Sequence, residues 1–296
     1  MSIDNMKNMI YTLLYATVNF FVNSRGVTIL MYHRVNDALT PSDLIISLRK
    51  FEEQMRYLKR FCHVVRLEDL RDTYSNKREL PRRRKPQVVI TLDDGYRDNY
   101  LNAFPVLKKL GLPATIFLAT GFIGKDKKMA KYQHMPSPDM LRWQEVEAMR
   151  DNVTFYPHTE NHPHLPELSP AEQKEEIRKS MDALAAHLLT ERDPKIFAYP
   201  YGQYNESTLK VLRELEIKIA LTTRMGLNTG QEDPLQLKRV SANGNDKLRD
   251  FIKKVSPVCW ALKWRWELLM RPMGRVSHGK YIKESGLKLK DQGYAG

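Results

Sequence analysis

Residues 88–98 read VVITLDDGYRD, an apolar and β-branched run that leads directly into two adjacent aspartates and a glycine. The run predicts a buried β-strand that ends at the first aspartate. Two neighbouring carboxylates repel each other, so the pair is either a solvated turn or a site for something positively charged. Gly95 permits a turn, which both carboxylates need to serve one site, because successive residues of a strand point to opposite faces.

The rest of the chain contains six more strand-like runs, with helix-like segments between them. The six runs are VTILMYHRV (27–35), PATIFLAT (113–120), VTFYPHT (153–159), KIFAYPY (195–201), IKIALTT (217–223) and LQLKRVSA (235–242). Residues 43–61 have apolar side chains every three or four positions, and residues 169–188 open on a capping-box pattern; both predict helices. Seven strands alternating with helices over about 220 residues predict an α/β fold with a closed or nearly closed parallel barrel.

Composition and charge limit the class of protein. The 296 residues are 42% hydrophobic, enough for a substantial core, and the formal net charge of +13 suggests an anionic partner. An acidic glycan or an anionic membrane surface fits that charge. No nucleic-acid-binding motif accompanies it, so nucleic acid is not expected. Cys62 and Cys259 lie far apart, which indicates neither a disulfide framework nor a zinc ribbon.

The N-terminal segment is apolar. Residues 9–22 (MIYTLLYATVNFFV) are interrupted by polar side chains and fall short of the roughly 20 apolar residues that a membrane span needs. No small-residue cleavage site follows, so a removable signal peptide is not expected. We predict that residues 1–25 form an apolar helix that either lies at a membrane interface or packs on the domain.

The C-terminal segment is basic and rich in tryptophan. Three of the four tryptophans, Trp260, Trp264 and Trp266, lie among lysines and arginines. This pattern suits the headgroup region of an anionic bilayer, although a helix packed on the barrel would bury the same side chains. We therefore predict one domain over residues 26–256 and a separate extension over residues 257–296.

Polar residues follow three of the predicted strands. These are Asp93, Asp94 and Gly95 after the second strand, His158, Thr159 and His162 after the fourth, and Pro200, Tyr201 and Gly202 after the fifth. Parallel strands would bring all three groups to one rim of the barrel. One carboxylate and two imidazoles make a metal site with positions left open, and the other aspartate could take a proton from water as a general base.

Three motifs in this order resemble those of the polysaccharide deacetylases, the NodB-homology family or carbohydrate esterase family four. The matching residues are TLDDG (91–95), HTENH (158–162) and AYPYG (198–202), and the likeness covers residues 26–255. The resemblance implies a single NodB-homology domain, a distorted (β/α)7-type barrel with terminal helical extensions. It also implies metal-dependent hydrolysis of N-acetyl groups on amino sugars.

The resemblance further implies roles for individual residues. Asp93 would be the catalytic base, and Asp94, His158 and His162 would hold a divalent metal, commonly Zn²⁺ in this family. Tyr201 would offer its backbone N–H to the oxyanion of the reaction. The supporting residues would be Thr159 in the histidine loop and Gly95, Pro200 and Gly202 in the motif turns. Apart from the resemblance, we expect Tyr96, which follows Gly95, to line the groove.

Two departures from the common family pattern bear on the mechanism. Ala198 stands where many members have an arginine that orients the base, and no C-terminal L-x-H supplies a general acid. The chain resembles the poly-β-1,6-N-acetylglucosamine deacetylases of the PgaB and IcaB type, in which the acid histidine comes from the first strand. That resemblance implies His33 as the acid and Arg239 in place of the missing arginine; otherwise His33 is a hydrogen-bonded histidine at a strand end.

The sequence therefore predicts a metal-dependent hydrolase that removes N-acetyl groups from amino sugars of a cell-envelope polysaccharide or lipid-linked saccharide. The alternatives are a catalytically silent glycan-binding or assembly protein on the same fold and a deacylase for a different acyl group. The expected partners are an N-acetylated glycan and an anionic membrane surface. The expected location is a bacterial-type cell envelope, peripheral to the inner membrane, with the cytoplasmic and periplasmic faces both open.

Overall fold

The computed structural model describes residues 26–75, 80–125, 129, 139–188 and 195–260, together with Met6, Ile10, Tyr11, Thr17 and Leu262. The strands in these ranges are β1 (Val27–Tyr32), β2 (Arg34–Val35), β3 (Ile45–Ile46), β4 (His63–Val64), β5 (Gln87–Leu92), β6 (Ala114–Leu118), β7 (Val153–Pro157), β8 (Ile196–Ala198), β9 (Ile219–Met225) and β10 (Leu237–Ser241). The α-helices with described bounds are α1 (Leu48–Phe61), α2 (Asp69–Ser75), α3 (Phe104–Leu110), α4 (Trp143–Ala148), α5 (Pro170–Leu188), α6 (Glu206–Glu214) and α7 (Leu248–Val255). A π-helix (Asn99–Ala103) precedes α3, and short 3₁₀ turns span Leu165–Glu167, Pro200–Gly202 and Pro234–Gln236.

Seven parallel strands form the barrel, in the order β7-β6-β5-β1-β10-β9-β8. The short strand β4 pairs with the first two residues of β5. No backbone ladder between β7 and β8 is found in the described ranges. The ring of His158 bridges that gap, because its Nδ1 lies 2.8 Å from the carbonyl oxygen of Ala198. The predicted α/β fold with a nearly closed seven-stranded parallel barrel is therefore confirmed.

The strands are apolar along their length because both of their faces are covered. In β1, the side chains of Val27 and Ile29 belong to the cluster that fills the barrel, whereas Leu30 and Tyr32 belong to the cluster beneath the outer helices. This alternation follows from the two-residue period of a strand. A strand that is hydrophobic on both faces consequently reads as the continuous apolar run seen in the sequence.

One predicted helix begins later than its pattern suggests. Residues 43–61 have helical spacing, but α1 starts at Leu48, with Ser47 as N-cap accepting a hydrogen bond from the Lys50 N–H. Ile45 and Ile46 instead form β3, which pairs in parallel with β2. The prediction for residues 169–188 holds, because the Ser169 N–H donates to Glu172 Oε2 at 2.8 Å in the expected capping box.

Most of both terminal segments falls outside the described residues. Met1–Ala261 form one compact unit, and of the second, Leu262–Gly296, only Leu262 is described. The indole Nε1–H of Trp260 donates to the Lys254 carbonyl at 2.8 Å, whereas Trp264 and Trp266 lie outside the described residues. The predicted boundaries at residues 25 and 256 stay predictions. Among the described helices, none is both long and apolar enough to cross a membrane.

Candidate metal centre and active site

The three motif loops have an unusual backbone. In the described part of the chain, five residues other than glycine have a positive φ, and four of them belong to these loops: Asp94 (77°), Thr159 (66°), His162 (55°) and Tyr201 (57°). Each such residue costs on the order of 1–3 kcal/mol, so the surrounding structure must hold it in place. Strain of this kind gathers where side chains must be aimed, here at the carboxyl ends of β5, β7 and β8.

The structure brings Asp94, His158 and His162 together. Asp94 Oδ1 lies 3.1 Å from Nε2 of His162 and 3.6 Å from Nε2 of His158. All three residues are buried, and their candidate ligand atoms lie within 4.8 Å of one another. The predicted triad is therefore present.

The chemistry of this donor set fits a divalent cation. The Ala198 carbonyl can only accept a hydrogen bond, so the His158 Nδ1 must carry the proton and the His158 Nε2 presents a lone pair towards Asp94. Burial lowers the pKa of His158 to about 4, against the opposing attraction of Asp93, so the imidazole is neutral at pH 7. A neutral imidazole and a carboxylate with facing lone pairs are compatible in a buried site when a cation lies between them.

Asp93 is paired with Arg239 of β10. The guanidinium donates from Nη1 to Oδ1 and from Nη2 to Oδ2 of Asp93, both at 2.7 Å, and from Nε to the Thr222 carbonyl at 2.9 Å. Burial raises the pKa of Asp93, but Arg239, His158 and His33 together outweigh it, and the net direction is down. Asp93 is thus ionised and held in one orientation, by an arginine from a different strand than the common motif would use.

His33 lies beside Asp93 at the rim. His33 directly follows Tyr32, the last residue of β1, and Asp93 directly follows Leu92, the last residue of β5. Tyr32 and Leu92 are paired in register. The side chain of His33 is half-buried, and a positive charge on it lowers the pKa of Asp93. A second titratable group therefore lies at the same rim as the predicted base.

Thr159 stabilises the histidine loop. Its hydroxyl donates to the carbonyl of His158 at 2.5 Å and accepts from the N–H of His162 at 3.0 Å, which closes the turn between the two histidines. Gly95 closes the other loop at φ 86°, where a Cβ would lie 2.7 Å from the Leu118 side chain. Both residues hold the backbone that aims the triad.

The Tyr201 ring belongs to an aromatic group that sequence reasoning missed. It stacks on His164, with ring centres 4.0 Å apart and planes 4° apart, and it makes an edge-to-face contact with His162, with ring centres 4.5 Å apart. His164 is fixed in turn by a 2.8 Å hydrogen bond between its Nδ1 and Gln203 Oε1. The H-x-H spacing of His162 and His164 was the only signal in the sequence, and it does not reveal a contact with residue 201.

Tyr96 lies in the core instead of on the groove wall predicted for it. Its ring is 0% exposed and packs with Phe122 and Met140. The reason is the turn at Gly95, which sends the next side chain inward under the loop.

Substituting Gly202 is expected to destabilise the protein more than substituting a matched glycine. Gly202 has φ 68°, and a Cβ there would overlap the Thr223 side chain; Gly124 has φ 67°, but a Cβ there would meet only Trp143 Cδ1 at 3.9 Å. Both alanine variants adopt a strained φ, but only Gly202→Ala adds a clash, which we expect to cost about 1–3 kcal/mol more. Urea unfolding of both variants measures the difference. Equal losses would show that the loop relaxes around the added methyl group.

A nearly closed parallel barrel with a buried His-His-Asp triad at the carboxyl ends of its strands is characteristic of a metal-dependent hydrolase. The family profile described as "Polysaccharide deacetylase" matches residues 81–220. YxkH of Bacillus subtilis (strain 168), whose name places it provisionally among the polysaccharide deacetylases, is 30% identical over 215 residues, 72% of this chain and 70% of that protein. A Staphylococcus aureus (strain MSSA476) poly-β-1,6-N-acetyl-D-glucosamine N-deacetylase is 28% identical over 242 residues, 73% of this chain and 74% of that protein.

Solved structures show the same likeness. The Streptococcus pyogenes deacetylase PplD, determined in complex with acetate, has a TM-score of 0.67 and 28% identity and covers 79% of this chain and 100% of its own. IcaB from Ammonifex degensii has a TM-score of 0.65 and 26% identity and covers 79% of this chain and 98% of its own. The chain belongs to the polysaccharide deacetylase family and is a metal-dependent carbohydrate deacetylase with an Asp94, His158 and His162 triad.

Proposed function

We propose that the protein removes N-acetyl groups from amino sugars of a cell-envelope polysaccharide or lipid-linked saccharide, with Zn²⁺ as the metal. The observation that carries this proposal is the Asp93–Arg239 pair beside the triad, because it supplies an oriented base next to the metal ligands. The likeness to a poly-β-1,6-N-acetyl-D-glucosamine N-deacetylase supports an N-acetylated polymer as the substrate. The charge of +13 favours an anionic surface, and we place the protein in a bacterial-type cell envelope, peripheral to the inner membrane.

Each residue of the site has a defined task in amide hydrolysis. Asp94, His158 and His162 would hold a divalent ion, which would supply Lewis acidity. Asp93 takes a proton from the attacking water while Arg239 fixes its carboxylate. The Tyr201 N–H donates to the developing oxyanion. His33 gives a proton to the sugar nitrogen as the C–N bond breaks, which releases acetate and a free amine.

The alternative of a catalytically silent glycan-binding protein rested on Ala198, which lacks the orienting arginine. Arg239 makes the bidentate contact that such an arginine would make, so this objection loses its weight. A deacylase for a different acyl group would use the same residues. Only a substrate comparison separates it from the proposed enzyme.

The function is tested on the purified full chain, freed of metal with a chelator and reloaded with Zn²⁺ or another divalent ion. Acetate release is followed from β-1,6-linked and β-1,4-linked N-acetylglucosamine oligomers and from an O-acetylated sugar. The proposal expects release from the N-acetylated oligomers that returns with metal. Metal and oligomer binding without release would favour the silent protein, and release from the O-acetylated sugar alone would favour the other deacylase.

Replacing His33 by alanine is expected to lower kcat for acetate release from the oligomers by about a hundredfold, the usual contribution of a positioned general acid. His63→Ala is the matched control, because His63 is exposed in β4, beside the first residue of β5, at the opposite end of the barrel. Steady-state kinetics on both variants measures the effect. Equal kcat for the two variants would remove His33 from the mechanism.

A further inference from the structure

His33 directly follows the central strand β1, but the segment of residues after it has little regular structure to hold it in place. Within the described ranges, strand β2 is two residues long and pairs with the two residues of β3. The other edge of the segment is held by side chains that follow the Asp93-Asp94-Gly95 turn. This arrangement needs an explanation, because proton transfer depends on the placement of the donor to a fraction of an ångström.

Asp98 is the centre of the contacts on that edge. It is 5% exposed, and its Oδ1 accepts from the N–H of Val35 at 3.2 Å. Its Oδ2 accepts from Nε of Arg34 at 2.8 Å and from Nδ2 of Asn36 at 3.3 Å. One buried carboxylate thus contacts three consecutive residues directly after His33.

Two asparagines extend these contacts to the backbone carbonyls of the same segment. Asn99 Nδ2 donates to the carbonyl of His33 at 2.8 Å, and Asn102 Nδ2 donates to the carbonyl of Val35 at 2.7 Å. Both asparagines belong to the π-helix Asn99–Ala103. Such widened turns cost stability and occur often at functional sites, which suggests that this one is kept for the placement of its side chains.

Tyr96 completes the arrangement from below. Its ring lies under the guanidinium of Arg34, 5.1 Å from ring centre to carbon, while Asp98 binds the same guanidinium from the side. Arg34, the residue after His33, is therefore fixed by two groups of the Asp93 loop. The buried ring of Tyr96 therefore supports Arg34 instead of lining the groove.

We propose that Asp98 and Asn99 are positioning residues for the His33 acid, joining the His33 segment and the Asp93–Asp94 loop into one rigid unit. The base Asp93, the metal ligand Asp94 and the acid His33 then keep their spacing, because one continuous segment, residues 93–99, holds all three in place. This inference rests on the proposed function, since it assumes that His33 delivers a proton to the leaving nitrogen.

The leaving group separates this role from a general structural one. An amine leaves an amide only when a proton reaches its nitrogen, whereas 4-nitrophenolate leaves 4-nitrophenyl acetate as a stable anion without a proton. A displaced His33 therefore slows amide hydrolysis and spares the aryl ester. Damage to the base, the metal ligands or the fold slows both reactions.

The experiment compares Asn99→Ala with Asn152→Ala in the metal-loaded full chain. Asn152 is the matched control, because its Nδ2 donates to a backbone carbonyl, that of Leu112, at 2.6 Å, just before β7 at the far end of the barrel. For Asn99→Ala we expect kcat on N-acetylglucosamine oligomers to fall about tenfold to a hundredfold with KM unchanged, and the 4-nitrophenyl acetate rate to change less than about twofold. Asn152→Ala should leave both rates unchanged.

Asp98→Asn, which keeps the shape and removes the charge, gives a second reading if Asn99→Ala does not fold. Equal loss on both substrates, no loss on the oligomers, or failure of both variants to fold would overturn the inference and leave these contacts a structural role. Wild-type protein that releases no acetate from the oligomers would instead refute the proposed function. His33→Ala, measured on the same two substrates, gives the maximum selective loss that misplacement can produce.

Discussion

Replacing Asp93 by asparagine is expected to lower kcat for acetate release about a thousandfold, within the range typical of a lost general base. Asparagine keeps the shape of the side chain but cannot take a proton from water. It also turns an amide NH₂ towards the guanidinium of Arg239, where a carboxylate oxygen now accepts at 2.7 Å. Steady-state acetate release, with metal content measured on the same samples, isolates the loss of the base from loss of the ion.

The matched control for this variant is Glu232→Gln. Glu232 also accepts from a cation and from the backbone, at 3.3 Å from Lys238 and 2.8 Å from the Thr229 N–H, but it lies before β10 at the other end of the barrel. Its kcat should equal that of the wild type. If Asp93→Asn kept more than about a tenth of the wild-type kcat with a full complement of metal, Asp93 would not be the base.

The sequence alone predicts the barrel because its strands are buried on both faces and therefore form continuous apolar runs. Local pattern failed at β3, where Ile45 and Ile46 fit the helical spacing that continues into α1. Their strand partners, Arg34 and Val35, lie about eleven residues earlier in the chain. A periodic pattern in the sequence does not indicate such a pairing. A two-residue strand is too short to leave a pattern of its own.

The site, like the fold, is predictable from the sequence only in part. Asp94, His158 and His162 are predictable because they follow parallel strands, which end at one rim. Their ring and carboxylate atoms are brought together by positive φ angles in the motif loops. A sequence indicates a positive φ only where it has a glycine, and most of these residues are not glycines. The sequence offers no sign that Tyr96 turns inward or that His164 stacks on a tyrosine from another loop.

Long-range ion pairs are the hardest feature to read from a sequence. Arg239 is 146 residues from Asp93, and Arg34 is 64 residues from Asp98. A sequence shows a charge but not its partner, so the resemblance to a subgroup, not the residues alone, pointed to Arg239. The structure supplies the physical reason: Arg239 lies in β10, which pairs with β1, and β1 in turn pairs with the strand that leads to Asp93.

Replacing Arg239 by methionine is expected to cost about 3–5 kcal/mol of unfolding free energy, because it leaves the buried carboxylate of Asp93 without its counter-charge. Arg239 is 1% exposed and also donates to the carbonyl of Thr222, so water cannot replace it. Urea unfolding of the metal-free protein measures this cost without a contribution from bound metal. Lys254→Met is the comparison, since Lys254 binds Asp246 at 2.7 Å but is 21% exposed, and its loss should cost no more than about 1 kcal/mol.

A double-mutant cycle tests whether the cost of Arg239→Met comes from the charge left behind. In Asp93→Asn/Arg239→Met neither buried charge remains, so the double variant should be more stable than the sum of the two single losses predicts, by at least about 1 kcal/mol. Additive losses would mean that Arg239 stabilises the barrel chiefly through Thr222 and Phe117, which its guanidinium faces at 5.9 Å. A coupled result, with acetate release lost in both single variants, would show that the pair which orients the base also holds β10 and β5 together at the rim.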